Sequence, residues 1–184
     1  MKPTADVWQA IETAIQIEKD GLAFYTEAAR QAGDPNGKKR CPELVEGMFQ
    51  SLARDEAAHL RLFETVHESL LKEGHWLSPE QVAAISPKRL DRPPIFPTGD
   101  AIQATETPER ELSALRRGIQ AENDSIAFYS QEMDKTEDPD ARAMYAYLIE
   151  QEEGHRTILQ GEYDYLTRTG FWFDIQEFDL EAAG

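Results

Sequence analysis

The sequence predicts an all-α fold in which four long helices form one bundle. Apolar residues recur at intervals of three and four along four stretches of the chain, which is the periodicity of a helix that buries one face. Segments rich in glycine or proline separate these stretches, and the two halves of the chain repeat the same residue pattern. The helices are expected at about residues 4–32, 42–73, 109–135 and 138–168.

Breaking and capping residues support the boundary of each helix in turn. The first helix ends before a Gly-Asp-Pro-Asn-Gly segment at residues 33–37, and Gly74 ends the second, since glycine is favoured just after a helix C-terminus. Thr107 and Asp138 each precede a proline at the start of the third and fourth helices, where an N-cap followed by proline is typical. The fourth helix ends before Gly170.

The connection between the second and third helices, residues 74–106, is long and rich in proline. Its prolines forbid one continuous helix. A helix of about 30 residues is about 45 Å long, so this connection could cross the bundle and let the second and third helices run in the same direction. Such a crossover is the ferritin-like variant of the four-helix bundle. The alternative is two separate helical hairpins joined by a linker. The prolines are Pro79, Pro87, Pro93, Pro94 and Pro97.

Composition excludes several classes of protein. The 184 residues suit one domain over residues 1–184, and a net charge of −16 favours neither nucleic acid nor an anionic membrane surface as a partner. The chain has no run that approaches the ~18 apolar residues of a membrane span, and its first residues lack the apolar core of a signal peptide, so we expect a cytoplasmic protein. With Cys41 as its single cysteine, the chain has no C-x-x-C iron or zinc site.

Two motifs occur once in each half of the chain. The segment I-E-K-D-G-L-A-F-Y at residues 17–25 matches A-E-N-D-S-I-A-F-Y at residues 121–129, and D-E-A-A-H at residues 55–59 matches Q-E-E-G-H at residues 151–155. A longer loop inside the first half accounts for the difference in spacing between the two pairs. A duplicated helical hairpin explains the pattern.

The repeated motifs place glutamates and histidines on helix faces that are otherwise apolar. In Glu-x-x-His the two side chains lie on one face, and apolar residues surround all four glutamates at helical spacing. An uncompensated carboxylate in such a position costs roughly several kcal/mol or becomes neutral, so a positive charge is expected among them. The residues concerned are Glu18, Glu56, His59, Glu122, Glu152 and His155.

Two sources of positive charge are possible. Arg156 neighbours Glu152 and could pair with it, although no Lys or Arg recurs at a matching inward position in both halves. Two divalent cations would balance four carboxylates, and two neutral imidazoles would complete the coordination. This donor set suits iron, manganese or zinc.

The repeated segments, together with D-E-A-A-H and E-E-G-H, resemble the rubrerythrin branch of the ferritin-like superfamily. The closing G-F-W-F-D-I-Q-E-F resembles a short tail that follows the fourth helix in rubrerythrin-like proteins of this size. The resemblance implies a binuclear site of two iron ions, with manganese or zinc as possible substitutes, that reacts with hydrogen peroxide or dioxygen. It implies as metal ligands Glu18, Glu56, His59, Glu122, Glu152 and His155.

The sequence departs from that family in two respects. Rubrerythrins usually carry a further glutamate three residues after the third-helix ligand, where this chain has Ser125; its counterpart in the first half is Gly21. Without that glutamate the family's redox-linked exchange of a histidine ligand is in doubt, and room could remain beside the metals for a small oxidant. The rubredoxin-like domain is also missing, so electrons would come from an external donor such as a rubredoxin-type protein.

Tyr25 and Tyr129 are candidate catalytic residues, which would act through the ligands beside them. Each follows a predicted ligand glutamate by two helical turns. A tyrosine on such a face can simply pack in the core, or its hydroxyl can hydrogen-bond a ligand carboxylate across the bundle; the sequence does not separate these two interpretations.

Other polar and aromatic residues are expected outside the site. We expect His67 and His75 at the surface or a helix end, and Asp55 and Glu153 to point to solvent. Large apolar residues near the termini are expected to cover the bundle or a contact in a homodimer. They are Trp8, Phe171, Trp172 and Phe173.

The sequence therefore predicts a di-iron oxidoreductase that reduces hydrogen peroxide or dioxygen with external electrons. Two alternatives remain open. One is ferrous-iron oxidation and handling, as in ferritins, or metal sensing. The other is a structural zinc or manganese bundle that serves as an interaction module.

Overall fold

The computed structural model of the protein describes residues 3–32, 42–85, 109–167, 171–172 and 175–176. The predictions for the loop with Cys41, for the cap at Thr107 and for the part of the connection beyond residue 85 lie outside these ranges. The described elements are α1 (Ala5–Ala32), α2 (Pro42–Lys72), α3 (Pro79–Ile85), α4 (Glu109–Lys135), α5 (Pro139–Thr167), β1 (Phe171–Trp172) and β2 (Ile175–Gln176).

The four long helices α1, α2, α4 and α5 confirm the predicted elements. Local hydrogen bonds explain where α1 and α5 begin, and a glycine conformation explains where α2 ends. The Thr4 carbonyl accepts a hydrogen bond from the Trp8 amide at 3.2 Å at the start of α1. Asp138 caps α5, since its Oδ1 accepts from the amides of Asp140 and Ala141. Gly74 follows α2 with φ of 78°, a left-handed conformation that glycine adopts without steric cost.

The short helix α3 was not predicted. It lies at the start of the connection and begins with a capping box: the Ser78 amide donates to Gln81 Oε1 at 2.8 Å, and Ser78 Oγ accepts from the Gln81 amide at 3.4 Å. Pro79 occupies its first position, where proline is favoured. Buried Trp76, Leu77 and Val82 join the core at this end of the bundle, so α3 closes that end.

The helices pack as two antiparallel hairpins, α1 with α2 and α4 with α5. Ile11 of α1 and Phe63 of α2 share one apolar cluster with Tyr129 of α4 and Met144 of α5. We call it the α3-end cluster. These residues lie near the starts of α1 and α5 but in the later parts of α2 and α4. Helices α2 and α4 therefore run in the same direction. The predicted crossover topology is thereby confirmed.

A second apolar cluster occupies the other end of the bundle. We call it the opposite-end cluster, and it includes Phe49, Leu52, Leu115 and Leu159, all almost fully buried. The repeated glutamates and histidines lie along the chain between the residues that build the two clusters. The core is therefore divided into two apolar parts with a polar layer between them.

The chain after α5 forms a small antiparallel strand pair, in which Phe171 lies opposite Gln176 and Trp172 opposite Ile175. Their side chains lie outside the described part of the structure. Among the helices described, none has the length and apolar character that crossing a membrane requires. The assignment of residues 1–184 to one domain stays a prediction.

Glu162, in the last turns of α5 and seven residues after the predicted ligand His155, is a further buried carboxylate, with 7% of its surface exposed. Burial, with a smaller contribution from Glu111, raises its pKa to about 7. Because the folded protein holds this proton more tightly than the unfolded chain, its stability falls as pH rises from about 4.5 to 7 and stays low above that range.

Replacement of Glu162 by glutamine should remove this loss of stability. At pH 8 we expect Glu162→Gln to raise the free energy of unfolding by about 1–3 kcal/mol, and at pH 5 to change it little. Urea unfolding at both pH values measures the effect, and Glu153→Gln at an exposed position of the same helix is the control. An equal effect of Glu162→Gln at both pH values would contradict the assignment.

Candidate metal centre

The six predicted ligands come together in the polar layer of the bundle. Glu18 comes from α1, Glu56 and His59 from α2, Glu122 from α4, and Glu152 and His155 from α5. All six residues are buried, with at most 4% of each residue's surface exposed. The apolar residues at helical spacing around each of them therefore predict the correct, buried side of its helix.

Their ligand atoms form two overlapping groups, each within 4.8 Å across. The first group is Glu18, Glu56, His59 and Glu152, and the second is Glu56, Glu122, Glu152 and His155. Glu56 and Glu152 belong to both groups. Each group takes three residues from one hairpin and one from the other. This arrangement is that of a binuclear metal site with two shared carboxylates.

The two histidines face the carboxylates through Nδ1. His59 Nδ1 lies 3.5 Å from Glu18 Oε2 and 3.3 Å from Glu152 Oε1. His155 Nδ1 lies 3.0 Å from Glu152 Oε2 and 3.3 Å from Glu56 Oε1. The two rings stack with centroids 5.6 Å apart. One imidazole nitrogen and three carboxylates therefore converge on each of two points.

Several buried polar atoms in this layer lack a hydrogen-bond partner among the described residues: Glu18 Oε2, Glu152 Oε2, His59 Nδ1, His59 Nε2 and His155 Nδ1. Buried polar atoms are rarely left unsatisfied, and four of these are ligand atoms directed at neighbouring ligands. Carboxylate oxygens and imidazole nitrogens are donors that iron, manganese and zinc accept. The residues present therefore fit a pair of divalent cations.

The possible pairing of Arg156 with Glu152 is not found. The Arg156 guanidinium is exposed and donates to Asn123 Oδ1 at 3.4 Å, because helical phase turns it away from the buried face. Within the described part of the chain, the ion-pair contacts that the four ligand glutamates make are all with His59 or His155. A metal pair remains as the source of positive charge.

Without a metal, the buried carboxylates of this layer repel one another, and the layer binds protons more tightly than the same groups do in water. Burial and the neighbouring Glu152 raise the pKa of Glu56 and Glu122, that of Glu122 to about 10. Burial lowers the pKa of His59 and His155, but the surrounding carboxylates more than offset it and hold both above the ordinary value. Protons would thus take the positions that cations fill, and metal binding would release them.

Both predicted tyrosines hydrogen-bond a ligand carboxylate across the bundle. The Tyr25 hydroxyl donates to Glu122 Oε1, and the Tyr129 hydroxyl donates to Glu18 Oε1. Each bond joins one hairpin to the other, so the tyrosine of each half orients the glutamate of the opposite half. The structure thus favours the hydrogen-bonding interpretation over simple packing, while a catalytic role for either tyrosine stays a prediction.

The prediction that Asp55 points to solvent is wrong. Its side chain is 31% exposed, and its Oδ2 lies 3.4 Å from His155 Nε2, the ring nitrogen that faces away from the carboxylates. The corresponding residue of the other half is Gln151, and His59 Nε2 has no hydrogen-bond partner among the described residues. The two motifs differ at this position, with Asp in one and Gln in the other, and that difference is the only sign of the contact in the sequence.

The predictions for Glu153, His75, His67 and Trp8 agree with the structure. Glu153 and His75 are exposed, and half-buried His67 lies at a helix end beside Trp8, with ring centroids 5.2 Å apart. Trp8 packs against the α3-end cluster. Phe173 and the side chains of the strand pair lie outside the described residues.

A cavity of about 380 Å³ leads from solvent to this layer between α1 and α4. Exposed Asp20, Arg117 and Asp124 border its mouth, and buried Tyr25, Glu56 and Glu122 form its floor. It therefore reaches the second ligand group from the side of Glu122.

Loss of one shared or one terminal ligand should lower the metal content below two ions per chain. We expect Glu56→Ala, which affects both groups, and His155→Ala, which affects the second, to abolish stoichiometric binding of two metals. Metal analysis after loading and dialysis measures this, with exposed Glu153→Ala as the matched control. Two ions retained in either variant would show that the ligand assignment is wrong.

Asp55 should strengthen one metal position and not the other. Because a carboxylate behind a histidine ligand orients the ring and raises its basicity, we expect Asp55→Asn to weaken the second group's metal affinity about 10- to 100-fold. Gln151→Ala, at the corresponding position, should change neither affinity much. Zinc titration against a chromophoric chelator resolves the two positions; unchanged affinities in Asp55→Asn would refute this role.

The comparisons with known proteins agree with this geometry. The family model described as Rubrerythrin matches residues 9–163, a range that includes α2 and α4 completely, most of α1 and α5, and every predicted ligand. Neither the comparison with curated proteins nor that with solved structures gave a match. Since the family model spans most of the sequence, the chain belongs to the rubrerythrin family, with a ferritin-like helical domain.

Proposed function

We propose that this protein is a di-iron oxidoreductase that reduces hydrogen peroxide with electrons from a separate redox protein. The observation that carries the proposal is the pair of overlapping Glu/His groups that share Glu56 and Glu152, beside a cavity open to solvent. Two iron ions, when bound, supply the two electrons that reduction of one peroxide to water requires. Dioxygen is the second oxidant that such a site could reduce.

The surrounding residues would hold the centre in place. Glu18 with His59 and Glu122 with His155 would bind one cation each, and the shared glutamates would bind both. The hydroxyls of Tyr25 and Tyr129 restrain the two unshared glutamates from opposite hairpins, and preorganised ligands need little rearrangement when charge on the site changes.

The electron donor in this proposal is another protein. The sequence holds a single cysteine and thus too few for an iron site ligated by several cysteines, and a rubredoxin-type protein, which carries such a site, is a suitable donor. The homodimer and the cytoplasmic location stay predictions.

Ferrous-iron oxidation of the ferritin type is the second candidate function. It is favoured by the acids along the cavity, Asp20 and Asp124 at the mouth and Glu56 and Glu122 at the floor, since carboxylates attract an entering cation. In this case iron would be substrate rather than resident cofactor.

Rapid mixing of the anaerobic, Fe(II)-loaded protein with hydrogen peroxide or with dioxygen distinguishes these functions. We expect peroxide to oxidise the loaded protein faster than dioxygen does, and catalytic turnover when a reductant is supplied. Glu56→Ala should oxidise no faster than free Fe(II) in buffer, and Glu153→Ala should match the unmodified protein. An iron core of many atoms per chain would support the second candidate, and inert metal would refute both.

A further inference from the structure

The cavity beside the centre is larger than hydrogen peroxide needs. Its volume is about 380 Å³, whereas a water molecule, which is similar in size to peroxide, takes up about 30 Å³ in the liquid. Cavities of about 300–1,000 Å³ are typical of sites that bind small organic molecules. The space therefore fits a substrate with an organic body.

Two small residues line the inner part of the cavity, and one of them also makes room for a shared ligand. At Gly21 an added Cβ would lie 2.9 Å from Glu56 Oε2, closer than side-chain carbons approach other atoms, so any larger residue would displace a shared ligand. Ser125, the counterpart of Gly21 in the other half, also lines the cavity. Neither position carries a side chain long enough to fill the space beside the ligands.

The walls of the cavity combine apolar surface with charges of both signs. Ile17, Phe24 and Ala121 supply the apolar part. Arg117 lies at the mouth with its guanidinium 5.4 Å from the Phe24 ring centroid, and Asp20 and Asp124 are also present. With acids outnumbering the single lining arginine, the cavity offers no cationic field for an anion, and a neutral amphiphilic molecule suits it better.

We propose that this cavity binds a neutral organic hydroperoxide, with the hydroperoxide group toward Glu56 and Glu122 and the organic body along Ile17, Phe24 and Ala121. The proposal rests on the proposed peroxide reduction and names a further substrate class for it. In the overall reaction ROOH + 2 e⁻ + 2 H⁺ → ROH + H₂O, the O–O bond breaks. Two Fe(II) become two Fe(III) and supply the electrons, solvent supplies the protons, and the external donor restores Fe(II).

The cavity approaches the two metal positions unequally. Its lining includes Glu122 and Tyr25 but not their counterparts Glu18 and Tyr129. The second ligand group, whose His155 is backed by Asp55, is thus the one that the substrate would meet.

A substitution at the mouth tests the proposal. Ala121→Phe would narrow the cavity, while Ala127→Phe, at an exposed position of the same helix outside the cavity, is the matched control. We expect Ala121→Phe to lower the ratio of kcat/KM for cumene hydroperoxide to that for hydrogen peroxide about tenfold or more. Ala127→Phe should leave this ratio unchanged.

Binding of the product alcohol gives a readout that is independent of turnover. We expect 2-phenyl-2-propanol to bind zinc-loaded protein in ligand-observed NMR, equally in the unmodified protein and in Ala127→Phe, and at least about tenfold more weakly in Ala121→Phe. Ser125→Val, which narrows the cavity from the inner wall, should also weaken it.

Two results would overturn the proposal while leaving the proposed function intact. One is turnover of hydrogen peroxide without turnover of cumene hydroperoxide and without binding of the alcohol; the other is an unchanged substrate ratio and alcohol affinity in both cavity variants. If no peroxide is reduced but the alcohol binds as expected, the proposed function fails, and the cavity stays an organic-binding site without hydroperoxide chemistry.

Discussion

Burial of four carboxylates in the middle of a helical bundle is the constraint on which the rest of this structure depends. Each uncompensated charge in such surroundings lowers the stability of the fold by about several kcal/mol. The layer therefore needs cations, and among the described residues four of its five orphaned atoms, all but the outer nitrogen of His59, face neighbouring ligand atoms where cations would lie. The apolar core is divided as a result, and the α3-end and opposite-end clusters lie on either side of the polar layer.

The duplicated hairpin gives the two metal positions similar ligands but different surroundings. His155 has Asp55 behind it, whereas the corresponding Gln151 does not satisfy the outer nitrogen of His59. The cavity likewise reaches Glu122 and not Glu18. Both differences fall on the second ligand group. The two repeats thus supply similar ligand sets, but only the second metal position has both an outer carboxylate, Asp55, and the cavity that opens to solvent.

Much of this architecture follows from short-range patterns in the sequence. Helical periodicity and caps such as Asp138 define the long helices, and residues three and four positions from each glutamate identify its face. Helix α3 was missed although its capping box, Ser78 with Gln81, is visible in the sequence. Asp55 was missed because helical phase describes one helix, whereas its contact is with α5. The small residues Gly21 and Ser125 predict room beside the ligands, but the size of the cavity also depends on the separation of α1 and α4, which no local pattern encodes.

Each metal position takes ligands from both hairpins, and this has a consequence for the cohesion of the domain. Three ligands from one hairpin and one from the other make every bound ion a bridge between α1–α2 and α4–α5. The tyrosine hydrogen bonds cross the same boundary. Metal occupancy and association of the two hairpins are therefore thermodynamically linked: bound ions would act as reversible crosslinks within a single chain, and after their removal protons would have to offset the charge of the carboxylates at the interface that they had joined.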